Sequence, residues 1–311
     1  MEIAALGFIG SKNIGDYIQT KAVIDIIDSK KIKILDRENL DKYNDDDIKT
    51  IINGWFMENP NNWPPGNNII PLFISFHINP STQGELLKKE SLEYFKKHEP
   101  IGCRDHYTRD ILLEKGINAY YSSCVTTSFE RNKYLKKNTK PEGIIVIGAF
   151  DRLKPSINNK TFSQLIISTL KYPLKKIAYK IKISKFNKHL NKQKTIIQNH
   201  SQIVNTPIMS HNEGLILAEE MLKKIASCET LITSRIHAAL PALAMGLKVI
   251  FIDEGLEHYN HKQRLSGLKN YFTCTNFKDF FMINLDSLLE TEVDKKQIKK
   301  IKLTINKFLN Q

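Results

Sequence analysis

Arg235 and His237 stand where an apolar run, Thr230–Thr233, gives way at Ser234 to an Ala- and Leu-rich segment closed by Gly246. A second apolar run, Lys248–Ile252, follows, so the unit reads as strand, turn, helix and strand. In an open α/β sheet the carboxyl end of a strand is where ligands bind. The free amides of a helix N-terminus attract anions at the same place. An arginine and a histidine there can grip a phosphate or carboxylate and still leave one group to move a proton. The plainer alternative is that Arg235 pairs with a nearby acid and His237 caps the helix. The arrangement recurs at Arg104, where Ile101–Cys103 runs into Arg104-Asp105 and a helix over Tyr107–Lys115 closed by Gly116. There too, pairing of Arg104 with Asp105 or with backbone is the structural alternative.

Three further strand ends carry polar residues. Residues 2–9 read as a buried strand and Asp16–Ile27 as a helix, joined by the turn Gly10-Ser-Lys-Asn-Ile-Gly15. Gly10 and Gly15 let backbone approach a ligand closely, while Asn13 and Asp16 can cap the helix or touch a substrate. This is not the dinucleotide-binding fingerprint. Asn53-Gly54 closes a strand over Thr50–Gly54, and His77 follows a strand over Ile69–Phe76. A histidine at a strand end is common on protein surfaces.

The segment Thr233-Ser-Arg-Ile-His-Ala-Ala-Leu-Pro-Ala-Leu-Ala-Met-Gly246 resembles the signature of the polysaccharide pyruvyl transferase family. Asn13-Ile-Gly-Asp16, Asn53-Gly54, Gly102-Cys-Arg-Asp105 with Thr108, and Arg264-Leu-Ser-Gly-Leu268 resemble its pattern in the same order. The resemblance spans residues 10 to 270, and its most specific part is Ser234–Gly246. It implies a fold related to the two-domain GT-B glycosyltransferases. It also implies transfer of a pyruvyl unit from phosphoenolpyruvate to a sugar as a ketal, with the acceptor lipid-linked or free and no cofactor.

With that chemistry in view, the resemblance gives each residue a role. Arg235 and Arg104 are expected to clamp the donor anion, with Ser234 and Ala238 beside them, and His237 to supply a proton. Asn13, Gly15 and Asn53 are expected on the acceptor side, with Asp16 as the catalytic base; His77 is expected there too, from its strand-end position alone. The motifs are poor in clustered carboxylates, so no metal is expected. A GT-B-type glycosyltransferase using a nucleotide sugar is the alternative enzyme, since it too needs an anion at Arg235. A non-catalytic binder of anionic polymers is the third reading. Without a recognised nucleic-acid module, no nucleic-acid partner is expected.

At 311 residues the chain is long enough for two domains, each with its own core. Successive βα units predict an α/β fold of two Rossmann-like domains facing a cleft, over residues 1–135 and 142–285. A helix over 286–311 can cross back to the first. An apolar content of 41% fits a globular protein. No apolar run is long enough to span a membrane, and the N-terminus lacks the basic region of a signal peptide. Cys103, Cys124, Cys228 and Cys274 are scattered and read as reduced core residues of a cytoplasmic protein.

The net charge of +13 is uneven. Between Arg152 and Asn212 there are twelve Lys or Arg and no Asp or Glu, so the rest of the chain is nearly neutral. The Lys-rich insert, residues 160–194, reads as two helices, Phe162–Lys171 and Leu174–Leu190, interrupted at Pro173. With Tyr172, Tyr179 and Phe186 among nine lysines over 171–194, it resembles an interfacial helix. Peripheral contact with an anionic membrane is the expectation, and a packed helix with solvated lysines is the alternative.

Overall fold

A computed structural model describes the chain except residues 30, 158–160, 194, 286 and 289–292. The ends expected at 160, Lys194 and Asp286 therefore fall outside the described residues. The first sheet contains β1 (Glu2–Gly7), β2 (Lys33–Asp36), β3 (Ile48–Phe56), β4 (Ile69–Ile78), β5 (Ile101–Cys103) and β6 (Ala119–Tyr121). Its helices are α1 (Ile14–Ile27), α2 (Gln83–Leu86), α3 (Lys89–Lys97) and α4 (His106–Glu114). The second contains β7 (Ile144–Ile147), β8 (Ile197–His200), β9 (Thr230–Thr233), β10 (Lys248–Ile252) and β11 (Thr273–Thr275). Its helices are α5 (Phe162–Leu190), α6 (His211–Ala226), α7 (Ile236–Ala244), α8 (Tyr259–Arg264) and α9 (Phe277–Phe280), and α10 (Lys295–Asn310) ends the chain.

Both sheets are parallel, with orders β2-β1-β3-β4-β5-β6 and β8-β7-β9-β10-β11. Each thus follows the doubly wound order of flavodoxin-like proteins rather than that of the dinucleotide-binding Rossmann fold. In each, the winding reverses beside the first strand, between β1 and β3 and between β7 and β9. The crevice outside those switch points is where such sheets hold ligands. The strands read as apolar runs because both faces are covered: all four residues of β7 are buried.

The two units do not keep separate cores. One apolar cluster runs from Ala4, Leu6 and Phe73 through Ile18 of α1 to Ile145, Leu231 and Phe251 of the second sheet. The cause is α1, which packs against α6 and α7. Gly214 lets α6 come close, since a Cβ there would overlap the Tyr17 ring. A second cluster covers the other face of the second sheet with Phe150, Phe186, Leu190 and Phe280. Helix α10 returns to the first sheet: Ile301 and Ile305 join its core, and Lys49 Nζ donates to the Phe308 carbonyl at 3.0 Å.

Other local expectations need correction. The helix read over 83–97 is broken into α2 and α3. α5 runs through Pro173 without interruption; the proline removes one bond to the carbonyl of Thr169, which is exposed to water. Cys274 is exposed, unlike the other three cysteines, because β11 is an edge strand. β4 extends past Phe76 and carries an extra residue against β3: Ile52 pairs Phe73, but Gly54 pairs Phe76. Ser75 takes up that bulge with φ of 56°.

Candidate active site

At the first switch point, Asn13 caps α1. Its Oδ1 accepts from the Gly15 amide at 3.1 Å, and its Nδ2 donates to Asp16 Oδ1 at 3.3 Å. Ser11 Oγ donates to Asp16 Oδ2 at 2.6 Å. Asp16 thus faces a cavity of about 470 Å³ that Asn13, Arg37, Trp55 and Glu58 also line. Asn53 lies beside the bulge, buried, and neither atom of its amide has a hydrogen-bond partner among the described residues. Gln19, next to Gly54, is in the same condition.

His77 departs from expectation. The extension of β4 places it inside the sheet, fully buried, instead of at an exposed strand end. Its Nδ1 lies 2.6 Å from Asp105 Oδ2 and 3.2 Å from Thr108 Oγ1. Asp105 also caps α4, accepting from the Thr108 amide at 2.9 Å. Burial alone would raise the Asp105 carboxyl. The charge and hydrogen bond of His77, the Arg104 guanidinium and the Thr108 amide outweigh it and hold the carboxyl below its usual value. Arg104 is itself fully buried, with Nε 3.6 Å from Asp105 Oδ2. Nη1 and Nη2 of Arg104 have no acceptor among the described residues. Nε is also beyond hydrogen-bond distance of its carboxylate, and a buried guanidinium with its nitrogens unsatisfied is a standing demand for an anion. Burial pushes the neighbouring Cys103 thiol well up, which removes it as a nucleophile.

The second switch point is stitched by hydroxyls. Thr233 Oγ1 donates to the Ile147 carbonyl and Ser234 Oγ to that of Gly148, both at 2.6 Å. The Ala238 amide donates to the Arg235 carbonyl at 3.0 Å, and its methyl is buried. Ser234 and Ala238, expected at the donor, thus have these groups engaged in shaping the turn. Arg235 Nη2 meets Asp151 Oδ2 at 2.6 Å. Arg152 lies next along the chain, with Nη1 3.2 Å from His261 Nε2. Burial, and then the charge of Arg235, push the Arg152 guanidinium down to about 10.

Sequence reasoning missed Arg152 and His261. Asp151-Arg152 lies in the loop after β7, so the strand-end argument carried further along that loop would have reached Arg152. His261 comes from α8, which no pattern announced.

Gly15 brings the switch points face to face. A Cβ there would sit 3.0 Å from His237 Cβ and 2.9 Å from Gln202 Nε2. Asn13 also bridges Ile203 as an isolated antiparallel pair. On the far side, α8 reaches α4: the Tyr259 ring meets Tyr107 edge-on, with centroids 6.3 Å apart. Arg104 and Arg235 nevertheless belong to separate clusters, one on Asp105 and one on Asp151. Among the described residues no group of three or more His, Cys, Asp or Glu is placed to hold a metal ion.

Two doubly wound parallel sheets with apposed switch points, and in each sheet an arginine that follows a strand end, define the α/β class of this protein. The family described as polysaccharide pyruvyl transferase matches residues 13–255, and the chain belongs to that family. The matched span contains the motifs at Asn13, Asn53, Arg104 and Arg235. Among solved structures, a functionally uncharacterised protein, KP1_0663 from Klebsiella pneumoniae subsp. pneumoniae NTUH-K2044, is similar at 14% identity and a TM-score of 0.51. The likeness covers 88% of this chain and 92% of that one, and at such identity it bears on the fold alone. No curated protein matches the chain.

Proposed function

We propose that the chain transfers a pyruvyl unit from phosphoenolpyruvate to two hydroxyls of one sugar, leaving a pyruvate ketal. The sugar belongs to a cell-surface polysaccharide or its lipid-linked precursor, met at the cytoplasmic face of the membrane. The observation that carries this reading is Arg104, a buried guanidinium that lacks acceptors among the described residues, in a chain of this family. Phosphoenolpyruvate offers two anionic groups, and the site offers two cationic stations, Arg104 and the pair Arg235–Arg152. Guanidinium forks suit both groups.

In the reaction a proton is added to the methylene carbon, and a sugar hydroxyl attacks the oxocarbenium-like centre as it loses its own proton. The bond to phosphate then breaks, and the second hydroxyl closes the ketal with loss of its proton. One proton enters at carbon, two leave the hydroxyls, and phosphate departs with one. His237, two residues beyond Arg235, is the proton donor. Asp16, held by Ser11 and Asn13 beside Trp55, takes a proton from the acceptor. His77, fixed by Asp105, positions the Arg104 side of the site, and the second hydroxyl proton leaves with the phosphate. No metal or cofactor enters the scheme.

Family membership favours this donor over a nucleotide sugar. Phosphate release from phosphoenolpyruvate, measured against a panel of free and lipid-linked glycans with mass spectrometry of the product, tests it. Acceptor-dependent phosphate release with a ketal on the glycan is expected. Release of a nucleoside diphosphate from a sugar nucleotide, with no phosphate from phosphoenolpyruvate, would refute it.

A further inference from the structure

Helix α5 has two apolar sides. Toward its C-terminal end it closes the second sheet, with Phe186 and Leu190 buried and Tyr179 and Ile183 packed beside them. At about 3.6 residues per turn, Phe162, Ile166, Leu170, Leu174, Ile177 and Ile181 fall on the opposite side. All six are exposed, from 46% at Ile166 to 78% at Phe162. Together they make an apolar stripe about 29 Å long, larger than the scattered apolar residues of an ordinary surface. The aromatics expected to face a membrane, Tyr179 and Phe186, belong to the core side instead.

The charge around this stripe is of one sign. Lys176 and Lys180 border one edge and Lys171 and Lys175 the other, all exposed. No Asp or Glu occurs between Arg152 and Asn212. Lys182 is different: it is committed to Glu254 at 2.6 Å and lies over the Phe277 ring. Lys185 lies over the Phe281 ring at 4.7 Å. The lysines offered outward are therefore those beside the stripe.

We propose that this side of α5 docks on an anionic lipid bilayer, with the helix lying in the plane of the headgroups. Aliphatic side chains enter the boundary while the flanking lysines keep their ammonium groups at the phosphates. Among the described residues no helix is long and apolar enough to cross a membrane, so the geometry is one of lying on the surface. A second copy of the chain fits less well, because pairing two such sides brings their lysine rows together. A nucleic acid would leave the stripe in water. The inference does not depend on the active-site reading.

Flotation of the purified chain with lipid vesicles tests it. Vesicles of phosphatidylcholine with phosphatidylglycerol should carry the protein up at low salt, and high salt should weaken binding at least about tenfold. Two variants that leave the core side intact should each lower affinity by at least about tenfold at unchanged circular dichroism. One is Leu170→Gln with Leu174→Gln and Ile177→Gln; the other replaces Lys171, Lys175, Lys176 and Lys180 by Gln. Absence of binding, equal binding to pure phosphatidylcholine, or wild-type affinity in the stripe variant would each overturn the proposal. So would a dimer in sedimentation velocity that the stripe variant converts to monomer, which assigns the face to a second copy.

Discussion

The two sheets share a topology and differ in how they treat charge at their strand ends. In the first, at the ends of β4 and β5, Arg104, Asp105 and His77 are sealed from water, and one carboxylate faces both the guanidinium and the imidazole. At the second, the Arg235 and Asp151 side chains keep 18% and 32% of their exposure, and Arg152 adds a like charge beside them. A sealed cluster is assembled during folding and holds its geometry whether or not a ligand is present. A half-open cluster with surplus positive charge is relieved when an anion arrives. The first therefore presents one fixed guanidinium to the donor, and the second draws the donor in and takes its other anionic end.

Asp105→Asn should break this contrast most severely. It leaves Arg104 without its counter-charge and His77 without its orienting partner, so stability should fall by about 3–5 kcal/mol in a denaturant titration. Turnover of the folded fraction should fall by about 10⁴, as when an orienting carboxylate is lost elsewhere. The Asp105 carboxyl is held below its ordinary value in the fold. Its stabilisation is thus complete above the unfolded carboxylate range and is lost as pH falls through the lower folded value. Denaturation midpoints followed into acid should show that loss in the wild type and a weaker one in Asp105→Asn.

His237→Ala probes the open side, and the expected loss is at least about 10²-fold in turnover. Donor affinity should stay within about tenfold, or 1.4 kcal/mol. Near wild-type steady-state turnover would remove His237 as the acid. Gly15→Ala tests the apposition itself. The added methyl presses on His237 Cβ and Gln202 Nε2. Turnover should fall by about tenfold with little change in melting temperature. Smallest of all, Arg152→Met should raise the melting temperature of the unliganded protein by about 2 °C, since it removes a desolvated charge beside Arg235. It should at the same time weaken donor binding. A lower melting temperature would show that Arg152 is structural.

Much of this contrast was legible in the sequence. The boundaries of β9 and β10, and the close at Gly246, fell where strand, helix and glycine signals said, because the run from Thr230 to Ile252 is locally consistent. Arg104, Arg235 and His237 were singled out as candidates because each follows an apolar strand. His77 was misplaced because nothing local marks the bulge at Ser75 that carries β4 onward. Arg152 was hidden by its position at the head of a Lys-rich stretch, which drew it into a surface reading. The partnership of Arg152 with His261 spans 109 positions and arises only from topology. The shared core was likewise invisible, since it depends on Gly214 of one unit meeting Tyr17 of the other.

The central claim is that the Arg104 cluster of the first sheet and the Arg235 cluster of the second hold one donor. Calorimetric titration of phosphoenolpyruvate into the wild type, Arg104→Lys and Arg235→Lys tests it most directly, because lysine keeps the charge and removes the fork. The account predicts binding to the wild type and affinity lowered at least about tenfold, or 1.4 kcal/mol, in each variant. Wild-type affinity in a folded Arg104→Lys would contradict it, because the sealed cluster would then have no part in holding the donor.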